Sequence, residues 1–207
     1  MSMNKVIHRA VRRDLGRFLD ATADFPAGNR ARAEDLAKAW DNFHFELTYH
    51  HEGEHETAWP ALQAVGVSPE LLTTLDAEHD AMAAALTETA SAMGALRASA
   101  SAEDAAAAHR SFEHLQEVTV AHLDHEEAEL EPVYQANRDS PEIKEMGKKF
   151  SKVSPARAGR YFAWLTDGAG PEEMSSIRAT VPGPVLTIIS GLFGRGYRRE
   201  IAPVWRG

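Results

Sequence analysis

The chain of 207 residues contains no cysteine. Disulfides, thiolate metal sites and cysteine nucleophiles are therefore excluded. The absence suits a cytoplasmic protein, which is the compartment expected here. Long apolar runs are also missing. The longest, VPGPVLTIISGLFG at 181–194, is interrupted by prolines and glycines and is too short to span a bilayer. The opening MSMNKVIHRAVRRDL is charged throughout and has no apolar core of the signal-peptide kind. Positive charge is in deficit: 31 Asp and Glu against 22 Lys and Arg leave a net −9. Nucleic acid is thus not expected as a partner, because phosphate binding needs a basic footprint. The deficit is uneven. Residues 148–207 hold ten Lys and Arg and four Asp and Glu, a local +6, so the rest carries −15. A basic C-terminal part can dock on an acidic body.

What is present is helical. No alternating strand pattern occurs over 1–137. A first helix is expected at about 4–22, with Val6, Val11, Leu15, Phe18 and Leu19 as apolar positions, and FPAGN at 25–29 breaks it. A second is expected at about 31–64, a third from Ser68-Pro69-Glu70 to about Leu96, and a fourth from Ser101 to about Ala136. Serine caps and proline in the first turn mark such starts. Four long helices with short connections predict an all-α, up-down-up-down four-helix bundle over 1–137. The remainder, 138–207, is expected as a helical extension docked on the bundle. Helices are expected from Pro155 to near Gly168, from Pro171 to near Pro182, and from Pro184 to about Ile201. Pieces so short, carrying Phe162, Trp164, Phe193, Tyr197 and Trp205, cannot bury those side chains alone.

The chemistry lies in the histidines, all at or before position 125. His50 and Glu54 are four apart, with Pro60 six residues on; His122 and Glu126 are four apart, with Pro132 six residues on. Residues four apart share one helical face. A His nitrogen and a Glu oxygen so placed can reach one ion, or the Glu can bridge two. His8 and His79 are the matching residues of the first and third helices. At about 1.5 Å rise per residue, Glu54, His79 and Glu126 all lie ~15 Å from the same end of the bundle, whereas His8 lies only ~6 Å into its helix, so the first helix is expected to start deeper or to follow a short tail. The topology thus brings His8, His50, Glu54, His79, His122 and Glu126 to one height. A single HxxxE reads more simply as a solvated helix face; the repeat, at consistent depth, points to metal.

IHRAVRRDL, HHEGEHETAWPAL, AEHDAM and HLDHEEAELEPVY, spread over about residues 3–137, resemble the hemerythrin-like (HHE cation-binding) family. The resemblance implies a four-helix bundle with a non-haem di-iron centre. It implies that Glu54 and Glu126 bridge the two irons and that His8, His50, His79 and His122 are terminal ligands. Imidazole and carboxylate suit iron, although zinc or manganese can occupy similar donors. The sequence departs from the oxygen-carrying members, which have a second histidine four residues from the first on the third helix. Here those positions are Ala83 and Leu75. His51 is the candidate for a seventh ligand. His55, His125 and Glu127 are weaker candidates, better placed as partners of ligands. His44, His109 and His114 are expected on helix surfaces, and Tyr49 and Trp59 as packing residues.

The function expected is binding of, or reaction with, a small oxidant or gas: dioxygen, hydrogen peroxide or nitric oxide, in oxygen, redox or iron handling. A catalase-like or peroxidase-like enzyme of oxidative defence is the alternative. Iron storage is a third reading. The extension is expected as a lid over the metal, or else as an arm for a partner, a second subunit or a membrane surface.

Overall fold

The structure, a computed structural model, describes residues 1–206. Helices α1 (Met3–Ala23), α2 (Arg30–Gly53), α4 (Pro69–Ser99) and α5 (Ala102–Asn137) form an antiparallel bundle, and α3 (Trp59–Ala64) continues the path of α2. The starts follow capping chemistry. The Oγ atoms of Ser2, Ser68 and Ser101 accept from the N–H groups of Lys5, Leu71 and Asp104. Each satisfies one of the four donors that a helix N-terminus leaves free. The α4–α5 connection is only Ala100 and Ser101. Ala100 takes the left-handed conformation, at φ 52°, and its N–H donates to the Leu96 carbonyl. Gly66, at φ 106°, turns the chain between α3 and α4 in a region open to glycine without strain.

The second helix differs from the continuous 31–64 helix expected. Glu54–Ala58 form one π-helical turn, closed by the Trp59 N–H donating to the Glu54 carbonyl. Pro60 sits in the first turn of α3, where its missing N–H costs nothing. Pro132, its counterpart, lies inside α5 without ending it. The paired prolines therefore have different roles: one follows a widened turn and the other rides within a helix.

Two apolar clusters fill the molecule. The larger includes Phe18, Trp40, Phe43 and Phe112, with Phe18 and Phe112 stacked at 4.5 Å. The smaller holds Trp59, Leu62, Leu75, Leu130 and Ile143. The histidine and glutamate layer belongs to neither cluster.

Beyond Asn137 come α6 (Pro141–Phe150), α7 (Pro155–Leu165), α8 (Pro171–Thr180), α9 (Gly183–Phe193), α10 (Arg195–Glu200) and a 3₁₀ turn, Ala202–Trp205. Helix α6 was not expected, although Ser140-Pro141-Glu142 repeats the start signal of α4 and Ser140 Oγ caps it. The final helix expected from Pro184 to Ile201 is broken at Gly194. A Cβ there would lie 2.7 Å from that of Ala163.

Trp164 is fully buried and donates Nε1–H to Asp14 Oδ2 at 2.7 Å. Trp205 meets Phe18 edge-on at 5.0 Å. Bulk charge does not explain this packing. Arg157 of α7 pairs with Glu46 of α2 in the expected sense, at 2.6 and 3.0 Å. Arg9 with Glu172 and Glu173, and Arg17 with Asp167, run in the opposite sense.

Candidate metal centre

Four bundle helices and the π-turn supply the layer. On α2, His50 and His51 diverge. The His50 ring meets His8 of α1 at 5.4 Å, while the His51 ring stacks on His79 of α4 at 4.3 Å. Glu54 begins the π-turn and reaches both sides. Its Oε1 is 3.2 Å from His50 Nε2 and its Oε2 is 3.4 Å from His79 Nε2. From α5, Glu126 Oε2 lies 3.2 Å from His8 Nε2 and 3.9 Å from His122 Nε2. Two four-residue groups result, each with one donor atom per residue and all donors within 4.8 Å of one another. One is His51, Glu54, His79 and His122. The other is His8, His50, Glu54 and Glu126. Glu54 belongs to both. All seven residues singled out in the sequence are brought together, and His51 stands in one group on equal terms with the rest.

Six of the donor atoms are buried and unpartnered, while His79 Nε2 and His122 Nε2 face each other at 3.1 Å. His8 Nε2, His50 Nε2, His51 Nε2, both oxygens of Glu54 and Oε2 of Glu126 have no hydrogen-bond partner. Buried polar atoms are ordinarily paired, because leaving one unpaired costs about 1–3 kcal/mol. A convergence of such atoms is what a cation would satisfy.

The tautomers agree. Glu127 Oε1 accepts from His8 Nδ1 at 2.9 Å, and Glu78 Oε2 accepts from His122 Nδ1 at 2.8 Å. Each of those Nδ1 atoms carries a proton, so in the neutral ring each Nε2 turns a lone pair inward. For His8 that lone pair faces a carboxylate oxygen. A cation between them makes the contact favourable; without one, a second proton on the ring does so, and against the cost of burial Glu126 and Glu127 raise the His8 pKa above its ordinary value. These residues fit a metal.

Electrostatics prepare the same state. Burial, then the charge of His8, lowers His50 to about 3. Burial, then His122, lowers His79 to about 4. His51 is held well below its ordinary value by burial and by His50. Burial also lowers His122, against its bond to Glu78. These imidazoles are neutral at pH 7, the form that ligates. Burial and repulsion by Glu126 drive Glu54 well up. Burial pushes Glu126 up too, but a protonated His8 ring 3.2 Å away outweighs it and holds Glu126 down. Without a cation the buried carboxylates do not both ionise readily.

Several residues beside the ligating atoms went unnoticed in the sequence. Glu78 accepts from both His122 and, through Oε1, His125 at 2.7 Å. Asp76 accepts from Trp59 Nε1 at 2.8 Å and faces His55 and His79. Asn4 donates to Glu126 Oε1 at 2.8 Å, leaving Oε2 for the cluster. A usable signal existed for two of them, since Asp76 and Glu78 flank His79 by three residues and by one. Glu127 lies where expected, against His8, whereas His125 reaches only Glu78 and is hydrogen-bonded to none of the seven cluster residues. Trp59 packs flat against His79 at 5.7 Å. His109, expected as an ordinary surface residue, is hydrogen-bonded to Thr22 Oγ1 at 3.0 Å.

The family model of the hemerythrin HHE cation binding domain matches residues 5–134. That span contains all seven residues of the cluster. Neither the curated proteins nor the solved structures give a match.

Proposed function

We propose, from the premise that the chain belongs to the hemerythrin HHE cation-binding family, that it holds two iron ions and uses them to bind or react with dioxygen, peroxide or nitric oxide. The observation that carries this reading is the pair of four-residue groups joined at Glu54. Glu54, which turns one oxygen toward each group, would hold both ions. Glu126 Oε2, between His8 of one group and His122 of the other, would be the second carboxylate shared between them. His8 and His50 would hold one ion, and His51, His79 and His122 the other.

Bound iron would supply a redox-active Lewis acid with positions open to a small ligand. The chain's own residues do the remaining work. Glu127, Glu78 and Asn4 hold His8, His122 and Glu126 in orientation. Such partners fix the ring and raise ligand basicity. Helix α6 lies over the π-turn: the Phe150 ring comes within 2.9 Å of where a Cβ on Gly53 would sit. Gly53 admits that ring, itself 43 % exposed, at the turn before Glu54, a contact that supports the lid role expected of the extension.

A catalase-like or peroxidase-like activity is the second reading. One feature favours it: His51 on α2 would be the fifth histidine, since Ala83 and Leu75 stand where a second histidine on the third helix of an oxygen carrier would lie four residues from His79. Iron-loaded protein distinguishes the two. A coloured adduct with dioxygen that vanishes on degassing supports reversible binding. Rapid oxygen evolution from added peroxide supports the enzyme. Loss of all metal on desalting sinks both.

A further inference from the structure

The extension presents an apolar surface that the bundle does not use. Helix α9 buries Leu186, while Val185, Ile188, Leu192 and Phe193 stand 42, 59, 54 and 45 % exposed. Val185, Ile188 and Leu192 recur at helical spacing, so they share one face. The opposite side is seated rigidly on α7. A Cβ on Gly159 would meet Phe193 Cβ within 2.4 Å and the Ile189 carbonyl within 2.6 Å, so α9 lies directly on the α7 backbone. The exposed face is therefore held outward by tight packing behind it.

Its surroundings name the partner. Residues 179–194 contain no charged side chain, and arginines bound the run at both ends: Arg178 before it, Arg195, Arg198 and Arg199 after it. All four are exposed. Arg198 reaches back to the Ser190 and Gly191 carbonyls at the end of α9. Three of the four acids of 148–207 are engaged by arginines of the bundle, Asp167 by Arg17 and Glu172 and Glu173 by Arg9; the fourth, Glu200, pairs with Arg199 and neutralises it, so Arg178, Arg195 and Arg198 carry the rim's charge. Together α8 and α9 are apolar enough for a membrane span but bend by 100° at their junction, and no single helix is long and apolar enough to cross. The composition suits lipid and the geometry forbids spanning.

A second copy fits less well. Pairing of two α9 faces about a two-fold axis sets each basic rim against itself. An anionic lipid surface meets both features at once, taking the apolar face into the acyl boundary and the arginines at the headgroups. We infer that α9 is a membrane-surface element by which this chain seats on an anionic bilayer.

Vesicle flotation of the full chain tests this. Vesicles of phosphatidylcholine with phosphatidylglycerol should carry the protein, less so at raised salt, and pure phosphatidylcholine should not. Ile188→Glu with Leu192→Glu should weaken binding by at least roughly tenfold, since each replaces inserted apolar surface with charge. Arg178→Gln and Arg195→Gln should each cost roughly fivefold on the anionic vesicles. All four positions are exposed, and a thermal melt of each variant confirms its fold. Absence of the wild type from anionic vesicles overturns the inference. So does binding unchanged in the paired glutamate variant, or a wild-type dimer in sedimentation that the same variant dissolves.

Discussion

Replacing Glu54 by Met should make the metal-free protein more stable while abolishing its metal. Both Glu54 oxygens are buried, at 4 % residual exposure, and neither has a hydrogen-bond partner. Burial and the neighbouring Glu126 drive its pKa up, so the metal-free chain relieves the charge by keeping a proton. The unpaired polar oxygens remain, at a cost of about 1–3 kcal/mol. Methionine of similar size removes that cost without opening a large cavity. A gain of about 2 kcal/mol corresponds to a Tm rise of roughly 4–8 °C for a domain of this size. The metal-loaded forms should reverse the order. Metal at a thousandfold excess over Kd adds about 4 kcal/mol to the wild type and nothing to a variant that cannot bind. The assay is thermal unfolding by circular dichroism after chelation and after reconstitution, with metal counted in each sample. Glu126→Ala supplies the contrast. It leaves His51, Glu54, His79 and His122 whole and should retain one ion, whereas Glu54→Met should retain none. A metal-free Glu54→Met protein less stable than the wild type, or one that keeps two ions, refutes the reasoning.

Three further outcomes are expected. Glu78→Ala removes the acceptor that orients His122 and His125, and should weaken metal binding by about 10–100-fold in a chelator competition; unchanged affinity rules out that positioning role. Arg157→Ala leaves Glu46, whose side chain is 0 % exposed, as an uncompensated buried charge, and should cost about 3–5 kcal/mol in urea denaturation. Recovery of most of that loss in Glu46→Leu with Arg157→Met would show that the penalty lies in the stranded charge; no loss in the single variant contradicts it. The stability of the metal-free chain should fall as pH drops from 6.5 toward 4. His50 and His79 titrate at about 3 and about 4 when folded against 6.5 when unfolded. The unfolded chain therefore takes up protons in that window that the folded chain refuses. Each group adds a slope of up to about 1.4 kcal/mol per pH unit. Glu54, shifted up, opposes with one such slope above 4.5. His8, shifted up, opposes as well, chiefly near and above 6.5; His51 and His122, shifted down like the other two, leave the lowered histidines in the majority. A flat profile between pH 4.5 and 6.5 contradicts the buried neutral histidines.

The long helices were legible because their signals are local. Ser68-Pro69 and Ser101 cap where capping chemistry says they should, and the two HxxxE phrases place their side chains by helical period alone. The π-turn at Glu54–Ala58 was not legible. Nothing in GEHETAWP distinguishes five residues per widened turn from an ordinary helix until the neighbouring layers are present. The partners of the histidines were equally hidden. Glu78 meets His122 across 44 positions and Arg157 meets Glu46 across 111, and helical period says nothing about such pairs. His51 illustrates the boundary. Its spacing allowed Glu54's face, but only the bundle shows it turning to His79 on α4 while His50 turns to His8 on α1. The net charges of the two parts suggested docking by attraction; the contacts instead follow Trp164, Trp205 and individual ion pairs of either sense.

The most direct test is metal analysis joined to optical spectroscopy on protein purified without a histidine tag and reconstituted with ferrous iron under anaerobic conditions. Two irons per chain, with an absorption change on exposure to air, is the expected result. One iron or none per chain, or retention of zinc that iron cannot displace, would contradict a di-iron centre joined at Glu54.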